Sequence, residues 1–184
     1  MNFFAVIYDL CEGFGVTLGL FALTLVISIP LGLLFSLCSM SRFRPLSYLM
    51  KGIIWVVRGT PLLLQCIVVT FIPSVVFDIG NKQLGGYLGL NTEGMNFVFV
   101  LVAFALNYAC YFAVIFEGGI KSIPQGQYEA GEVLGLTKRQ IFWHIILMQV
   151  VRRVTAPMSN EIITLVKDTA LARALGVVEV ITVA

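Results

Sequence analysis

Residues 94–116 read GMNFVFVLVAFALNYACYFAVIF and contain no aspartate, glutamate, lysine or arginine. About 20 apolar residues are enough for an α-helix to cross the hydrocarbon core of a bilayer. A helix is the expected conformation there because it pairs its own backbone amides, and an unpaired amide in hydrocarbon costs several kcal/mol. The run therefore predicts a transmembrane helix.

Two further uncharged runs support the same interpretation. Residues 13–41 and residues 59–77 also lack charged side chains, and the whole chain is 59% hydrophobic and 12% charged. A soluble domain carries roughly 25% charged residues. We therefore expect an all-α integral membrane protein, a helix bundle that forms a single domain over residues 1–184. The predicted spans lie at about 13–40, 53–77, 94–116 and, with a more polar sequence, 154–172.

The charged residues between these runs predict the topology. Residues 1–12 carry two acids and no base, whereas residues 42–58 carry four bases and no acid. Residues 78–93 are net acidic and residues 117–153 are net basic. Because short basic loops stay in the cytoplasm, the two basic segments are expected inside and the N-terminus outside. No basic residue precedes the first run, so a cleavable signal peptide is not expected.

Several function classes lack their characteristic residues in this sequence. The single histidine, His144, cannot form a metal site alone, and the four cysteines contain no CxxC pair. The sequence has no nucleophile motif and no phosphate-binding glycine loop, and its net charge of +2 is too small for a nucleic-acid-binding surface. We therefore expect neither an enzyme nor a chain with a metal or cofactor of its own.

A polar segment at residues 121–152 interrupts the apolar pattern, and its centre reads YEAGEVLGLTKRQ over residues 128–140. Gly135 is a natural helix stop, and Thr137 with Gln140 fits a capping box that starts a new helix. The pattern predicts a short helix with small residues on one face, a hinge, and an amphipathic helix that ends near residue 153. Such a segment fits either a docking element for a cytoplasmic partner or a solvated connection between spans.

The polar segment also resembles the EAA loop of ABC importer membrane subunits. The residues that match its spacing are Glu129, Ala130, Gly131, Gly135, Ile145 and Leu147. Two positions depart from the family pattern, since Gly131 stands in place of a second alanine and Met148 in place of a proline.

Three further stretches resemble the polar amino acid branch of that family. They are VRGTPLLLQ at 57–65, GGIKSIPQGQYEAG at 118–131 and NEIITLVKDTALA at 160–172. The family usually has glutamate at the position of Val114 and arginine at the position of Glu117. An ion pair between these two positions is therefore not carried over to this chain.

The resemblance implies the fold of a type I ABC importer permease, with the four visible spans and a fifth expected after residue 180 but absent from this chain. It implies the membrane subunit of an ATP-driven importer for polar amino acids in the bacterial cytoplasmic membrane. ATP would bind to a partner, a cytoplasmic ABC ATPase. The other implied partners are a second permease copy or paralogue and an extracellular or periplasmic solute-binding protein. The residues expected to contact the ATPase are Gln127, Glu129, Ala130, Gly131, Gly135 and Lys138.

A polar stripe on the fourth predicted span indicates where a substrate could pass. Acids within a span face a protein interior or a water-filled cavity, because lipid does not solvate them. A zwitterionic or cationic amino acid would suit such a cavity. In the alternative, Glu161 or Asp168 forms a structural ion pair with Lys167, Arg173 or Arg58. For Arg58 the alternative to a pathway role is that its side chain snorkels to the membrane interface at the edge of the second span. The residues predicted to line the pathway are Asn160, Glu161, Thr164, Asp168 and Arg58.

The competing function is a secondary transporter or channel for small polar solutes that works without an ATPase. Its polar segment would be dispensable, and no ATPase would accompany the purified protein. A membrane scaffold or sensor without transport is a further alternative.

Overall fold

The computed structural model describes the backbone of residues 3–175 and the side chains of residue 11 and residues 13–172. Helices make up most of this part of the chain, and no strand occurs in it. The α-helices are α1 (Phe3–Ser39), α2 (Arg44–Arg58), α3 (Leu62–Val76), α4 (Asn81–Leu88), α5 (Thr92–Lys121), α6 (Gln125–Val133), α7 (Lys138–Gln140) and α8 (Leu147–Asp168). A π-helix, Ile141–Ile146, joins α7 to α8, and a 3₁₀-helix, Thr169–Leu175, follows α8.

Two of the described helices are long and apolar enough to cross a membrane, Gly13–Ser39 within α1 and the whole of α5. The all-α membrane class predicted from the sequence is confirmed. α2 and α3 qualify only as a pair, because they are bent by 107° where they meet. The second predicted span, residues 53–77, is therefore not one helix. Pro61 explains the break, since a proline removes an N–H and its ring clashes with the carbonyl four residues earlier.

α1 and α5 pack closely and run in the same direction. A Cβ added to Gly32 of α1 would lie 2.7 Å from Phe112 Cβ and 3.0 Å from the backbone oxygen of Ala109, both on α5. Further along α1, the Ser39 hydroxyl donates to Glu117, which is further along α5, at 2.6 Å. Small residues allow such an approach between helices in lipid. The charge-based topology predicts this common direction.

The bent pair α2–α3 connects the two ends of α5. At one end, Ser47 of α2 donates to the backbone oxygen of Ser39, whose side chain bonds Glu117 near the end of α5. At the other end, Asn81 of α4, which follows α3, donates to Asn96 near the start of α5 at 3.2 Å. The pair therefore leads from one end of α5 toward the other in two helices that meet at 107°.

α5 forms the centre of the bundle. Phe104, Tyr108 and Phe112, spaced by four residues, are at most 2% exposed. They pack in one cluster with Leu20 of α1 and Leu165 of α8. α5 can therefore present polar side chains to a space between several helices.

The polar segment contains the helix stop and the helix start that the sequence predicts. Gly135 has a φ of 72°, the left-handed conformation that favours glycine. The Thr137 hydroxyl accepts from the Gln140 N–H, and the Gln140 side chain accepts from the Thr137 N–H at 2.9 Å, which completes the capping box. α6 and the helices after it are therefore separate elements, as expected.

The helix after the capping box is longer than predicted. It was expected to end near residue 153, but α7, the π-helix and α8 follow one another without a break from Lys138 to Asp168, with Pro157 inside α8. α8 has 22 residues but is not among the helices apolar enough to cross a membrane by composition, so the fourth span at 154–172 stays a prediction. The region after residue 180, where a fifth span was expected, lies outside the described residues.

Candidate functional site

A cavity of about 550 Å³ opens where the break between α2 and α3 faces α5 and α8. All three walls supply polar side chains. The lining residues are Arg58, Gly59, Thr60, Pro61 and Leu62 from the break, Asn107, Tyr108 and Tyr111 from α5, and Glu161, Thr164 and Asp168 from α8.

The α8 wall contains three of the four predicted stripe residues. Glu161, Thr164 and Asp168 share one helix face and line the cavity. The Tyr108 hydroxyl donates to Asp168 at 2.7 Å. Asn160 is the exception, since it is exposed and lies outside the cavity lining. Its backbone oxygen accepts a hydrogen bond from the Thr164 hydroxyl at 3.1 Å.

Neither cavity acid forms an ion pair with Arg58 or Lys167, two of the three partners considered from the sequence. Within the described side chains, the one ion pair closer than 4.0 Å joins Lys121 to Glu117, away from the cavity. Glu161 and Asp168 therefore pair with neither Arg58 nor Lys167. The side chain of Arg173, the third candidate partner, lies outside the described ones.

Arg58, the last residue of α2, is exposed and lines the cavity. Its guanidinium carbon is 4.9 Å from the centre of the Tyr111 ring. Tyr111 lies about 10 residues, or roughly 15 Å, before the end of α5. An exposed guanidinium at a helix end fits both interpretations, so the pathway role and the snorkelling of Arg58 stay predictions. A cation over an aromatic ring is stabilised by roughly 0.5–2 kcal/mol, and here the contact fixes the guanidinium at the cavity wall.

Sequence reasoning missed the α5 wall, which is formed by Asn107, Tyr108 and Tyr111. These residues lie in the uncharged run that indicated a span, where aromatic side chains are unremarkable. A signal existed in Asn107, because an amide within a span needs a partner. Asn107 is 4% exposed and donates to Gln65 of α3 at 3.0 Å.

The residues predicted to contact the ATPase are partly exposed and partly packed within the chain. Glu129 and Ala130 are exposed on α6. Gly131 is buried, and a Cβ there would lie 2.6 Å from Ile141 Cγ1. Gly131 is therefore an internal packing position, and the expectation that it offers a surface to a partner is wrong. Gln127 also has a partner within the chain, since Gln149 donates to it at 2.9 Å.

The end of α6 presents apolar side chains that sequence reasoning did not select. Val133 is 88% exposed and Leu134 is 74% exposed. They directly precede Gly135, whose left-handed conformation turns the chain back toward α7. Lys138, after the turn, lines a smaller groove together with Glu132 of α6. The exposed surface of α6 thus combines an acid, a small residue and an apolar tip.

Comparisons with known proteins bear on both regions. The family model for the binding-protein-dependent transport system inner membrane component matches residues 28–184. The arginine transport system permease protein ArtQ of Bacillus subtilis (strain 168) is 34% identical over 169 residues, which cover 92% of this chain and 71% of that protein. The L-cystine transport system permease protein TcyB of the same strain is 32% identical over 170 residues, covering 92% and 67% respectively.

A solved structure agrees with these relatives. The crystal structure of an amino acid ABC transporter with histidines matches with a TM-score of 0.74 and 26% sequence identity, over 98% of this chain and 79% of that chain. Permease subunits of this kind are not enzymes, because ATP hydrolysis belongs to a separate ATPase subunit. The chain belongs to the family of binding-protein-dependent transport system inner membrane components, the permease subunits of ABC amino acid importers.

Proposed function

We propose that the chain forms the translocation pathway for a cationic amino acid and that the cavity at the helix break is its substrate site. The charge of the cavity carries this proposal, since two carboxylates, Glu161 and Asp168, share it with one guanidinium, Arg58. An amino acid brings a carboxylate for Arg58 and an ammonium for one acid. The second acid is then left for a positively charged side chain, which would make the occupied cavity neutral.

The size and polar lining of the cavity support an amino acid as the occupant. Its volume of about 550 Å³ lies within the roughly 300–1,000 Å³ of ordinary small-molecule sites. Asn107 and Thr164 add neutral polar groups beside the charged ones. The name of the Bacillus subtilis relative ArtQ, an arginine transport permease, agrees with a cationic substrate.

α6 is the element that fits a cytoplasmic ABC ATPase. Glu129 and Ala130 offer a charge and a close approach, while Val133 and Leu134 offer apolar area that no described part of the chain covers. The complete importer would also contain a second permease copy or paralogue and a solute-binding protein on the outer side. ATP would bind to the ATPase subunit.

A continuous path leads from α6 to the cavity acids. Gly131 seats α6 against Ile141 at the start of the π-helix, and the π-helix passes into α8, which carries Glu161 and Asp168. From Ile141 to Glu161 the helix extends about 20 residues, or roughly 30 Å. Movement of α6 by the ATPase would therefore shift the acid-bearing wall of the cavity.

Uptake of L-arginine and of L-citrulline, its neutral near-isostere, tests the substrate site in the reconstituted transporter. Asp168→Asn and Glu161→Gln should each lower arginine uptake by about tenfold or more and lower citrulline uptake less. Glu93→Gln, which changes an exposed acid at the start of α5, should alter neither. If the ratio of arginine uptake to citrulline uptake were the same in the wild type and in both cavity variants, the proposal would be overturned.

Co-purification of the ATPase tests the role of α6. Leu134→Glu should abolish the association and ATP-driven uptake, because it places a charge on the exposed apolar tip. Leu88→Glu is the matched control, since Leu88 is a 62% exposed leucine at the end of α4. An intact Leu134→Glu complex, or uptake that continues without ATP, would instead favour a secondary transporter.

A further inference from the structure

The break between α2 and α3 leaves backbone groups without their helical partners beside the cavity. In a continuous helix, the N–H of residue 61 would donate to the carbonyl of residue 57. Residue 61 is a proline and has no N–H. The Val57 carbonyl, which is half-buried, therefore lacks its helical donor, and a group from elsewhere takes that place.

The side-chain amide of Gln65 supplies that donor. Its Nε2 lies 2.6 Å from the carbonyl oxygen of Val57, one residue before Arg58. The same nitrogen lies 3.1 Å from the Thr60 carbonyl oxygen and 2.8 Å from the Thr60 hydroxyl. The Thr60 N–H lies 3.4 Å from the Val57 oxygen, and the Thr60 hydroxyl lies 3.2 Å from the Val57 oxygen and 3.1 Å from the Val56 oxygen. The amide of Gln65 on α3 thus bonds both to the end of α2 and to Thr60 within the break.

The opposite end of the same amide holds the break against α5. Asn107 Nδ2 donates to Gln65 Oε1 at 3.0 Å. Asn107 lies one helical turn before Tyr111, over whose ring the Arg58 guanidinium is placed. The end of α2 is therefore attached to α5 at two successive turns, through an amide pair and through a cation–π contact.

From this geometry we propose that Gln65 is the positioning residue that places Arg58 in the substrate cavity. Gln65 does not line the cavity, so it acts through Arg58 and through the fixed angle of the break. Without its amide, the Val57 carbonyl would lose its shortest hydrogen bond and α2 its link to Asn107. Arg58 would then be free to leave the Tyr111 ring. This inference rests on the proposed role of the cavity in binding a cationic amino acid.

Equilibrium binding of radiolabelled L-arginine to the assembled transporter with its ATPase, without the solute-binding protein, reads out the cavity directly. Gln65→Leu should weaken arginine binding about tenfold, the effect of one lost interaction. The double variant Gln65→Leu/Arg58→Gln should bind arginine no more weakly than Arg58→Gln alone, because groups that act as a unit are not additive. Gln83→Leu removes an exposed glutamine amide on α4 and should leave binding unchanged.

The outcomes separate this inference from the proposed function. Two results would overturn the positioning role alone. In the first, the double variant binds arginine more weakly than Arg58→Gln, by the full factor lost in Gln65→Leu. In the second, Gln65→Leu binds arginine normally while Arg58→Gln binds it weakly. Normal arginine binding by Arg58→Gln would overturn the cavity function and this inference with it. If Gln65→Leu does not assemble, Gln65→Asn serves in its place, since it keeps the amide but shortens its reach by one methylene. The same epistasis with Arg58→Gln is then expected.

Discussion

The chain interrupts its helices in two ways, and the difference shows how each interruption supplies its backbone hydrogen bonds. The helix break at residues 59–61 borders the cavity and takes its missing donor from the Gln65 side chain. The turn at residues 134–137 is exposed and relies on Gly135 and on backbone bonds, such as Leu136 N–H to Gly131 oxygen at 3.1 Å. At the turn no residue lacks an N–H, and one glycine is enough. At the break Pro61 has no N–H to donate, and a side chain supplies a donor instead.

The largest expected effect concerns the packing that attaches the exposed turn to the rest of the molecule. Gly131→Leu should lower the free energy of unfolding by about 3 kcal/mol, the upper part of the usual range for overpacking, because it forces α6 away from Ile141. Ile141 Cγ1 already lies 2.6 Å from where a Cβ would stand. Thermal unfolding followed by the fluorescence of Trp143, two residues after Ile141, measures this change. Gly126→Leu, with nothing within 4 Å of its Cβ, should unfold like the wild type.

The next effect tests whether the turn depends on glycine alone. Gly135→Val should cost about 2 kcal/mol, because an L-residue in the left-handed region costs roughly 1–2 kcal/mol and a β-branched side chain is at the upper end. Asparagine tolerates that region, so Gly135→Asn should cost much less. The same Trp143 signal compares them. Equal stability of the two variants would show that the turn has another support.

These regions also differ in how much the sequence revealed. At the turn, Gly135 and the Thr137–Gln140 pair act through residues three or four apart, so their local pattern was sufficient. At the cavity, Glu161 and Asp168 were recognisable because acids are rare in spans. Their partners on α5, Tyr108 above all, are distant in sequence and resemble ordinary span residues.

The same limit explains the predictions that failed. Gly131 has a small side chain, which suggests a close approach, but sequence alone does not say whether the approaching group belongs to a partner or to Ile141. A proline such as Pro61 ends a helix, but it does not by itself predict the 107° angle between α2 and α3, where Gln65 and Arg58 contact α5. Periodicity predicts which face of a helix is polar, and tertiary contacts decide what that face meets.

A direct comparison of the two interruptions comes from the same substitution in each. Thr60→Val at the helix break removes a hydroxyl that lies 3.1 Å from the Val56 oxygen and 3.2 Å from the Val57 oxygen and accepts from Gln65 at 2.8 Å. The free energy of unfolding should fall by about 1–1.5 kcal/mol, the upper half of the usual range for one hydrogen bond, since the Gln65 amide also loses a partner. The fluorescence of Trp55, on α2, reports unfolding of this region. Thr60→Ser keeps the hydroxyl and should remain near the wild type.

The smallest effect is expected for Thr137→Val, which removes the corresponding hydroxyl at the exposed turn. The free energy of unfolding should fall by about 0.5–1 kcal/mol, the lower half of the usual range for an N-cap. The effect is small because water can replace the hydroxyl at the Gln140 N–H. Trp143 reports this change, and Thr137→Ser is the control. If Thr137→Val were as costly as Thr60→Val, the Gln65 contact would add nothing to the stability that the Thr60 hydroxyl provides. The helix break and the turn would then depend on their hydroxyls to the same extent.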